Sequence, residues 1–383
     1  MFNTLHDLFL LDPRVIFLNH GSFGACPKSV FETYQRWQVE MERQPVEFLG
    51  RRYDALLDEV RNELGTYLNA SADDLILLPN STHGTNLVAR SLKLQPGDEI
   101  LATDHEYGAV DYTWEYVCEQ TGAKYIRHPI DLPLGKTYDI VNSLWSAVTP
   151  RTKVIAISHI TSPTALILPI KEICDRARRA GIMTIIDGAH APGQIPLDLG
   201  LIDADFYTGN LHKWLCAPKG AAFLFARKQY QDLLDPLVIS WGWRSRNNSE
   251  TTTFVTRNQW QGTRDIAAFL SIPAAIEFQQ QHNWDIERER CHYLAMRTRD
   301  RICELTGIPP IAPDSFFSQM FAVKLPACDV MALKERLYNE YKIELPGIIW
   351  NGMPFLRISV QGYNTENDMD KLIEALQVEL ALT

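Results

Sequence analysis

The run Ile182-Met183-Thr184-Ile185-Ile186 constrains this chain most. So short and nearly unbroken an apolar stretch reads as a strand covered on both faces, as the strands of parallel sheets are. Asp187 ends it, and Gly188-Ala189-His190 follows, too small and too polar for a core. A carboxylate at the carboxyl end of such a strand stands in the crevice where open α/β sheets bind ligands. A second short strand, Asp205 to Thr208, leads into Gly209-Asn210-Leu211-His212-Lys213-Trp214 and a turn at Pro218-Lys219-Gly220. Beside His212 and Trp214 the Lys213 amine can be partly desolvated. To be nucleophilic near neutral pH it needs its pKa lowered by roughly 2–3 units, about 3–4 kcal/mol.

Taken singly, Asp187 reads as a helix N-cap and Lys213 as a solvated amine. On neighbouring strand ends they are an acid able to meet a cationic ring nitrogen and an amine able to hold an aldehyde as a Schiff base, the pair that pyridoxal phosphate (PLP) requires. The segments Asp187 to Gly193 (DGAHAPG) and Asn210 to Trp214 (NLHKW), spaced as they are, resemble the fold-type I PLP enzymes of the class V aminotransferase group. That group includes cysteine desulfurases, kynureninase and isopenicillin N epimerase. The likeness runs over nearly the whole chain and is strongest to the isopenicillin N epimerase-like branch.

Strand signals at 75–78, 99–103, 124–128, 154–158 and 221–226 alternate with helical ones such as 170–180. The pattern predicts an α/β fold with a mostly parallel sheet covered by helices on both faces. With 383 residues, 46% of them hydrophobic, the chain can bury a large core. Residues 1–283 are expected to form the large PLP-binding domain with an N-terminal arm, and 284–383 a small C-terminal α+β domain.

Candidate contacts follow along the chain. Asn19-His20-Gly21-Ser22-Phe23-Gly24 can turn tightly near a ligand, and the resemblance places it in the active site with His20 on cofactor or substrate; a surface turn is the alternative. Arg51 or Arg52 is a candidate for a substrate carboxylate or a solvated helix start. Asn80-Ser81-Thr82-His83-Gly84-Thr85-Asn86 opens a helix after a buried strand, a phosphate cup in which Ser81, Thr82 and the His83 amide are the expected donors. A plain N-cap by Ser81 or Thr82 would use the same orphan donors. The position resembles the family's T-T-x-G-x-N phosphate loop.

In Asp104-His105-Glu106-Tyr107-Gly108-Ala109 the resemblance implies a ring stacked on the pyridine, His105 or Tyr107. Many relatives carry two adjacent histidines here and the second aligns with Glu106, so this chain departs from them. Tyr107 is favoured, as ring or as acid. The resemblance further implies Ser162 on the phenolic oxygen, His190 on the ring, and Asn210 and His212 on the phosphate side. A polar, aromatic loop runs from Trp241 to Arg246. Beyond it, Thr263 in a Gly-Thr turn is expected at the phosphate of a partner subunit, in an isologous homodimer with composite sites; Thr263 as a helix cap is the alternative. Arg357 occupies an otherwise apolar strand. A buried arginine needs an anion, and R-x-S-x-x-x-Y-N-T resembles the family's substrate-carboxylate motif.

A net charge of −10 without a basic cluster argues against nucleic acid and anionic membranes, and no apolar run is long enough to cross a bilayer. The first residues, MFNTLHDLFLLDPR, lack a secretory pattern. Seven cysteines without a C-x-x-C pair indicate neither a disulfide framework nor a metal site and suit a reducing cytoplasm.

The resemblance implies an enzyme that joins PLP to an amino acid or amino-acyl compound and abstracts its α-proton, with Lys213 as base, Asp187 as ring partner and Tyr107 as acid. Epimerisation at the α-carbon is the first expectation. A C–S lyase of the cysteine desulfurase or hercynylcysteine sulfoxide lyase type is the second, and a non-catalytic PLP-fold scaffold the third. Persulfide chemistry needs a nucleophilic cysteine before the arginine strand, and Leu345 to Gly352 has none.

Overall fold

Residues 5–244 and 252–381 are described by a computed structural model; residues 1–4 of the arm, Ser245 and Arg246 of the polar loop and residues 382–383 lie outside them. In chain order the strands are β1 (Ile16–Phe17), β2 (Leu75–Leu78), β3 (Glu99–Thr103), β4 (Lys124–His128), β5 (Thr152–Ser158), β6 (Met183–Asp187), β7 (Phe206–Asn210), β8 (Ala222–Ala226), β9 (Met320–Lys324), β10 (Ile343–Glu344), β11 (Gly347–Trp350) and β12 (Met353–Ser359). Seven of them form the central sheet in the order β2-β8-β7-β6-β5-β3-β4. Neighbours run parallel from β7 through β4, and β8 alone is antiparallel to β7 and β2.

The unbroken apolar runs have a simple cause, since successive side chains face opposite sides of the sheet. Leu75, Leu77, Ile155, Ile157, Ile186 and Tyr207 enter one apolar cluster with Leu57, Leu64 and Ile173 from the helices on that side. Ile76, Leu78, Val154, Ala156, Ile185 and Phe206 enter another, with Val88, Val110, Trp114 and Val117. Every strand of the middle therefore serves two cores. The helices Ser81–Ser91, Gly108–Thr121 and Ile170–Arg179 cross between strands, so the carboxyl ends of β3, β5, β6 and β7 open on one edge, where the candidate residues lie.

A second sheet, β11-β12-β9, is antiparallel throughout. It packs with the helices Trp284–Thr306, Val330–Tyr341 and Glu366–Glu379 around Leu294, Phe321, Leu333, Leu356, Ile358 and Leu372. The arm serves both parts, for Phe9 lies in the large core with Phe17 packed against it. Ile16 and Phe17 pair in parallel with Ile343 and Glu344, and Leu18 is fully buried in this second core. A two-residue strand with half-buried side chains carries too little pattern to announce that partner.

Past β1 the arm makes the short helix His20–Phe23 and meets the lysine loop at Gly24. Its φ is +69°, and a Cβ there would lie 2.0 Å from the His212 carbonyl oxygen. Only glycine satisfies both conditions. Gly24→Ala is therefore expected to lower stability by about 1–3 kcal/mol, read as a fall in the urea midpoint; an unchanged midpoint would mean the arm does not bear on the loop.

Candidate active site

Lys213 follows β7, whose five residues are all buried, so the loop starts from a rigid strand. Its Nζ lies 3.2 Å from His190 Nε2. The indole N–H of Trp214 donates to His190 Nδ1 at 3.3 Å, which leaves the imidazole proton on Nε2, pointing at the lysine. An ammonium could not accept it; a neutral amine can. Burial moves the Lys213 amine the same way, down to about 7, with Arg357 adding repulsion and Asp187 a smaller opposing pull. His190 is itself held well below the ordinary histidine value by burial and by Lys213, and stays neutral.

Asp187 ends β6 between Ser158 of β5 and Thr208 of β7. Its Oδ1 accepts the Ala189 N–H at 2.9 Å, and no donor meets its other oxygen among the described residues. Burial raises the carboxyl. Gly188 leaves no room for a side chain, because a Cβ would stand 2.1 Å from the Tyr207 ring. The ring's hydroxyl is 2.8 Å from His159 Nδ1, so the floor beneath Asp187 is a packed, neutral pair.

Arg357, on β12, is 5% exposed and has no carboxylate at ion-pair distance among the described residues. One terminal nitrogen donates to the Ser162 carbonyl at 2.6 Å and to Ser162 Oγ at 3.3 Å, the other to Ser22 Oγ at 3.2 Å, and Nε has no partner. Burial pulls the guanidinium down to about 10. Ser162 thus holds the arginine through its carbonyl oxygen and Oγ. Ser22 was missed. Its signal was the hydroxyl between the two glycines of the arm, and its own O–H donates to Asn19 Oδ1.

At the phosphate cup the cap of helix Ser81–Ser91 is Asn80, not Ser81 or Thr82: its Oδ1 accepts the His83 N–H at 2.9 Å. The His83 amide is therefore consumed and is not a free donor. The Ser81 N–H donates to Asn210 Oδ1 at 2.9 Å, fixing the cup to β7. What remains open is the Ser81 hydroxyl, buried with no partner, and the Thr82 N–H at the helix start. His212 donates from Nδ1 to the Ala221 carbonyl at 3.2 Å, leaving Nε2 free; burial holds it down to about 4, so it is neutral. Thr263 is exposed and caps nothing: the next helix begins at Ala267, whose N–H is met by Asp265 Oδ1 at 2.7 Å.

Two expected contacts have their ring nitrogens engaged by neighbours. His20 is fully buried, with Nδ1 2.9 Å from the Tyr363 hydroxyl and Nε2 2.9 Å from the Lys213 carbonyl, its ring against Trp214. Held down to about 3, it braces the lysine backbone and cannot reach substrate or donate a proton. His105 is likewise spent, its nitrogens on Thr164 Oγ1 (2.7 Å) and the Ile130 carbonyl (2.9 Å) and its ring 4.3 Å from Trp350. Tyr107, by contrast, is 48% exposed. Of the helix-break arginines, Arg52 pairs with Glu40 at 2.7 Å and lies over Phe48, so it is not a carboxylate site.

The family model described as Aminotransferase class-V matches residues 25–372. The chain belongs to that family. A relative named isopenicillin N epimerase, from Amycolatopsis lactamdurans, is 36% identical over 96% of this chain and 96% of its own length. A probable chloroplastic L-cysteine desulfhydrase of Arabidopsis thaliana is 28% identical over 95% of this chain and 83% of its own. Among solved structures, a mutant of C-DES with glycine covalently linked to its PLP cofactor superposes with a TM-score of 0.80 at 21% identity, covering 95% of this chain and 96% of that one. The large sheet and the edge that gathers Lys213, Asp187, His190 and Arg357 thus belong to a fold shared by class V enzymes.

The lysine's environment sets a pH dependence. Only the neutral amine attacks a carbonyl, so capture of an aldehyde by the cofactor-free protein, read as borohydride-reducible adduct, should rise as pH passes upward through about 7 and level off above it. A rise centred near the ordinary lysine value of about 10 would put the amine in water instead.

Proposed function

We propose that this chain is a PLP enzyme that docks an amino acid or amino-acyl compound by its α-carboxylate and moves the α-proton, with epimerisation as its reaction. The observation that carries the reading is Arg357, a buried guanidinium with an unpartnered Nε and no acid against it, placed to repel the nearby Lys213 amine. Leaving such a cation uncompensated costs several kcal/mol, which a bound carboxylate offsets through a forked pair of hydrogen bonds.

The residues present fit PLP. The Ser81 hydroxyl and Thr82 N–H are open donors at a helix N-terminus, suited to a phosphate; one Asp187 oxygen lacks a donor, suited to a ring N–H; the Lys213 amine is neutral, suited to an aldehyde. When bound, PLP supplies the carbonyl that links to amines and a ring that draws charge away from the α-carbon. Lys213 takes the α-proton on its own side, and Asp187 keeps a proton on the ring nitrogen. Arg357, steadied by Ser22 and Ser162, fixes the carboxylate and with it the direction of the α C–H bond. Epimerisation also needs a donor on the other side, and Tyr107 is that group, since His20 is buried and spent. Exposed Thr263, with no helix of its own to cap, supports its assignment to a partner subunit's phosphate in an isologous dimer. Seven free thiols suit a reducing cytoplasm.

The epimerase reading rests on the 36% relative at full length. A C–S lyase is the second reading, favoured by the desulfhydrase relative and by the fact that protonating a leaving sulfur takes one donor, which Tyr107 supplies. The β11–β12 hairpin carries no cysteine, which argues against a persulfide route.

Incubation with candidate amino acids in deuterated water separates these readings: loss of α-hydrogen with loss of chirality is the epimerase outcome, released sulfide the lyase outcome, and no exchange with any of them would leave only a scaffold. Lys213→Ala should abolish both exchange and the borohydride-trapped adduct. Arg357→Ala should raise KM roughly 10- to 100-fold, the weight of a charge-assisted hydrogen bond or two, with cofactor still bound.

A further inference from the structure

Glu106 has no part in the proposed chemistry, yet its carboxylate is among the most deeply buried of the described residues. It is 6% exposed and has no cation at ion-pair distance among the described residues. Three donors hold it: the Thr103 hydroxyl at 2.6 Å on Oε1, and the Ser158 hydroxyl and N–H at 2.6 and 2.8 Å on Oε2. Ser158 is the register partner of Asp187 on the adjoining strand, about 4.8 Å away. One residue of β5 therefore separates two buried carboxyls, and both of its polar groups are turned toward the one that has no assigned task.

We propose that Glu106 is a positioning residue whose charge, fixed against Ser158, deepens the negative potential around Asp187 and so tightens the hold of that carboxylate on a proton at the cofactor's ring nitrogen. The inference rests on the PLP reading above. Two like charges in a low-dielectric floor cannot both be comfortable, and a cation placed at one of them relieves both. The titratable groups that face Glu106 are Asp187 from β6 and Tyr125 from β4, whose hydroxyl donates to Asp111 at 2.7 Å. Neither brings a positive charge to Glu106, and the Lys213 amine that acts on Asp187 loses its charge above about pH 7, so the ring N–H is the counter-charge left to the pair. Burial pushes the Glu106 carboxyl up to about 7. Its charge is present above that pH and lost below, and the grip on the ring proton changes in the same sense.

The test uses holoenzyme loaded with PLP carrying an isotopically labelled ring nitrogen, whose chemical shift reports protonation directly. Glu106→Gln keeps the shape and removes the charge; its ring nitrogen should lose its proton about one pH unit lower than in the wild type, a tenfold weaker hold, and Glu106→Asp should recover part of the difference. Ser158→Ala, which removes only the hydroxyl tether, should shift the midpoint the same way by less. Midpoints equal in wild type, Glu106→Gln and Ser158→Ala would overturn the proposal while leaving the PLP reading intact. A wild-type protein that binds no labelled PLP would overturn both.

Discussion

Two cations, the Lys213 amine and the Arg357 guanidinium, share a pocket that gives neither an ion-pair partner among the described residues. Burial disfavours the charge of both, Arg357 adds its repulsion to Lys213, and the two side chains answer differently. Lysine can yield its proton near neutrality; arginine, whose proton affinity is far higher, stays charged even when pulled down to about 10. One dry setting thus produces both a nucleophile and an anion trap. The surrounding architecture exists to keep it from relaxing: His20 and Gly24 of the arm press on the lysine backbone, and Ser22 and Ser162 hold the guanidinium by its two ends.

Five histidines, His20, His105, His159, His190 and His212, lie around this pocket, all pushed by burial toward the neutral form. They act as fixed hydrogen-bond relays. His20 ties the arm to the lysine carbonyl, His105 ties the turn before Tyr107 to the loop that follows β4, and His190 passes the direction of the Trp214 indole on to the lysine amine. A polar shell that is neutral and saturated rejects stray protons and leaves the few open donors and acceptors to a ligand.

The central sheet was legible because its cause is local. Each run such as Leu75 to Leu78 or Ile182 to Ile186 is apolar on both faces, and the structure shows each face in its own core. Arg357 stood out as a charge in an apolar strand, and Asp187 and Lys213 as an acid and an amine at or just past the ends of two neighbouring strands. What sequence could not show is direction and long-range pairing. Nothing adjacent to His20 or His105 says that the ring turns inward, and whether Asn80 or Ser81 caps a helix depends on φ and ψ one residue apart. Ser162 faces Arg357 only because β5 and β12, nearly two hundred residues apart along the chain, end at the same place.

The β1–β10 pairing sets an order of events in the life of the chain. Ile16 and Phe17 wait for Ile343 and Glu344 before they have a strand to join, and the Tyr363 hydroxyl that orients His20 arrives later still. While the protein is being synthesised, the central sheet can gather and the lysine loop can close, but the strap that braces its backbone remains untethered until the second core has emerged from the ribosome. Such contacts between distant segments form late and slowly. The brace on the lysine backbone is thus among the last contacts that the growing chain can make.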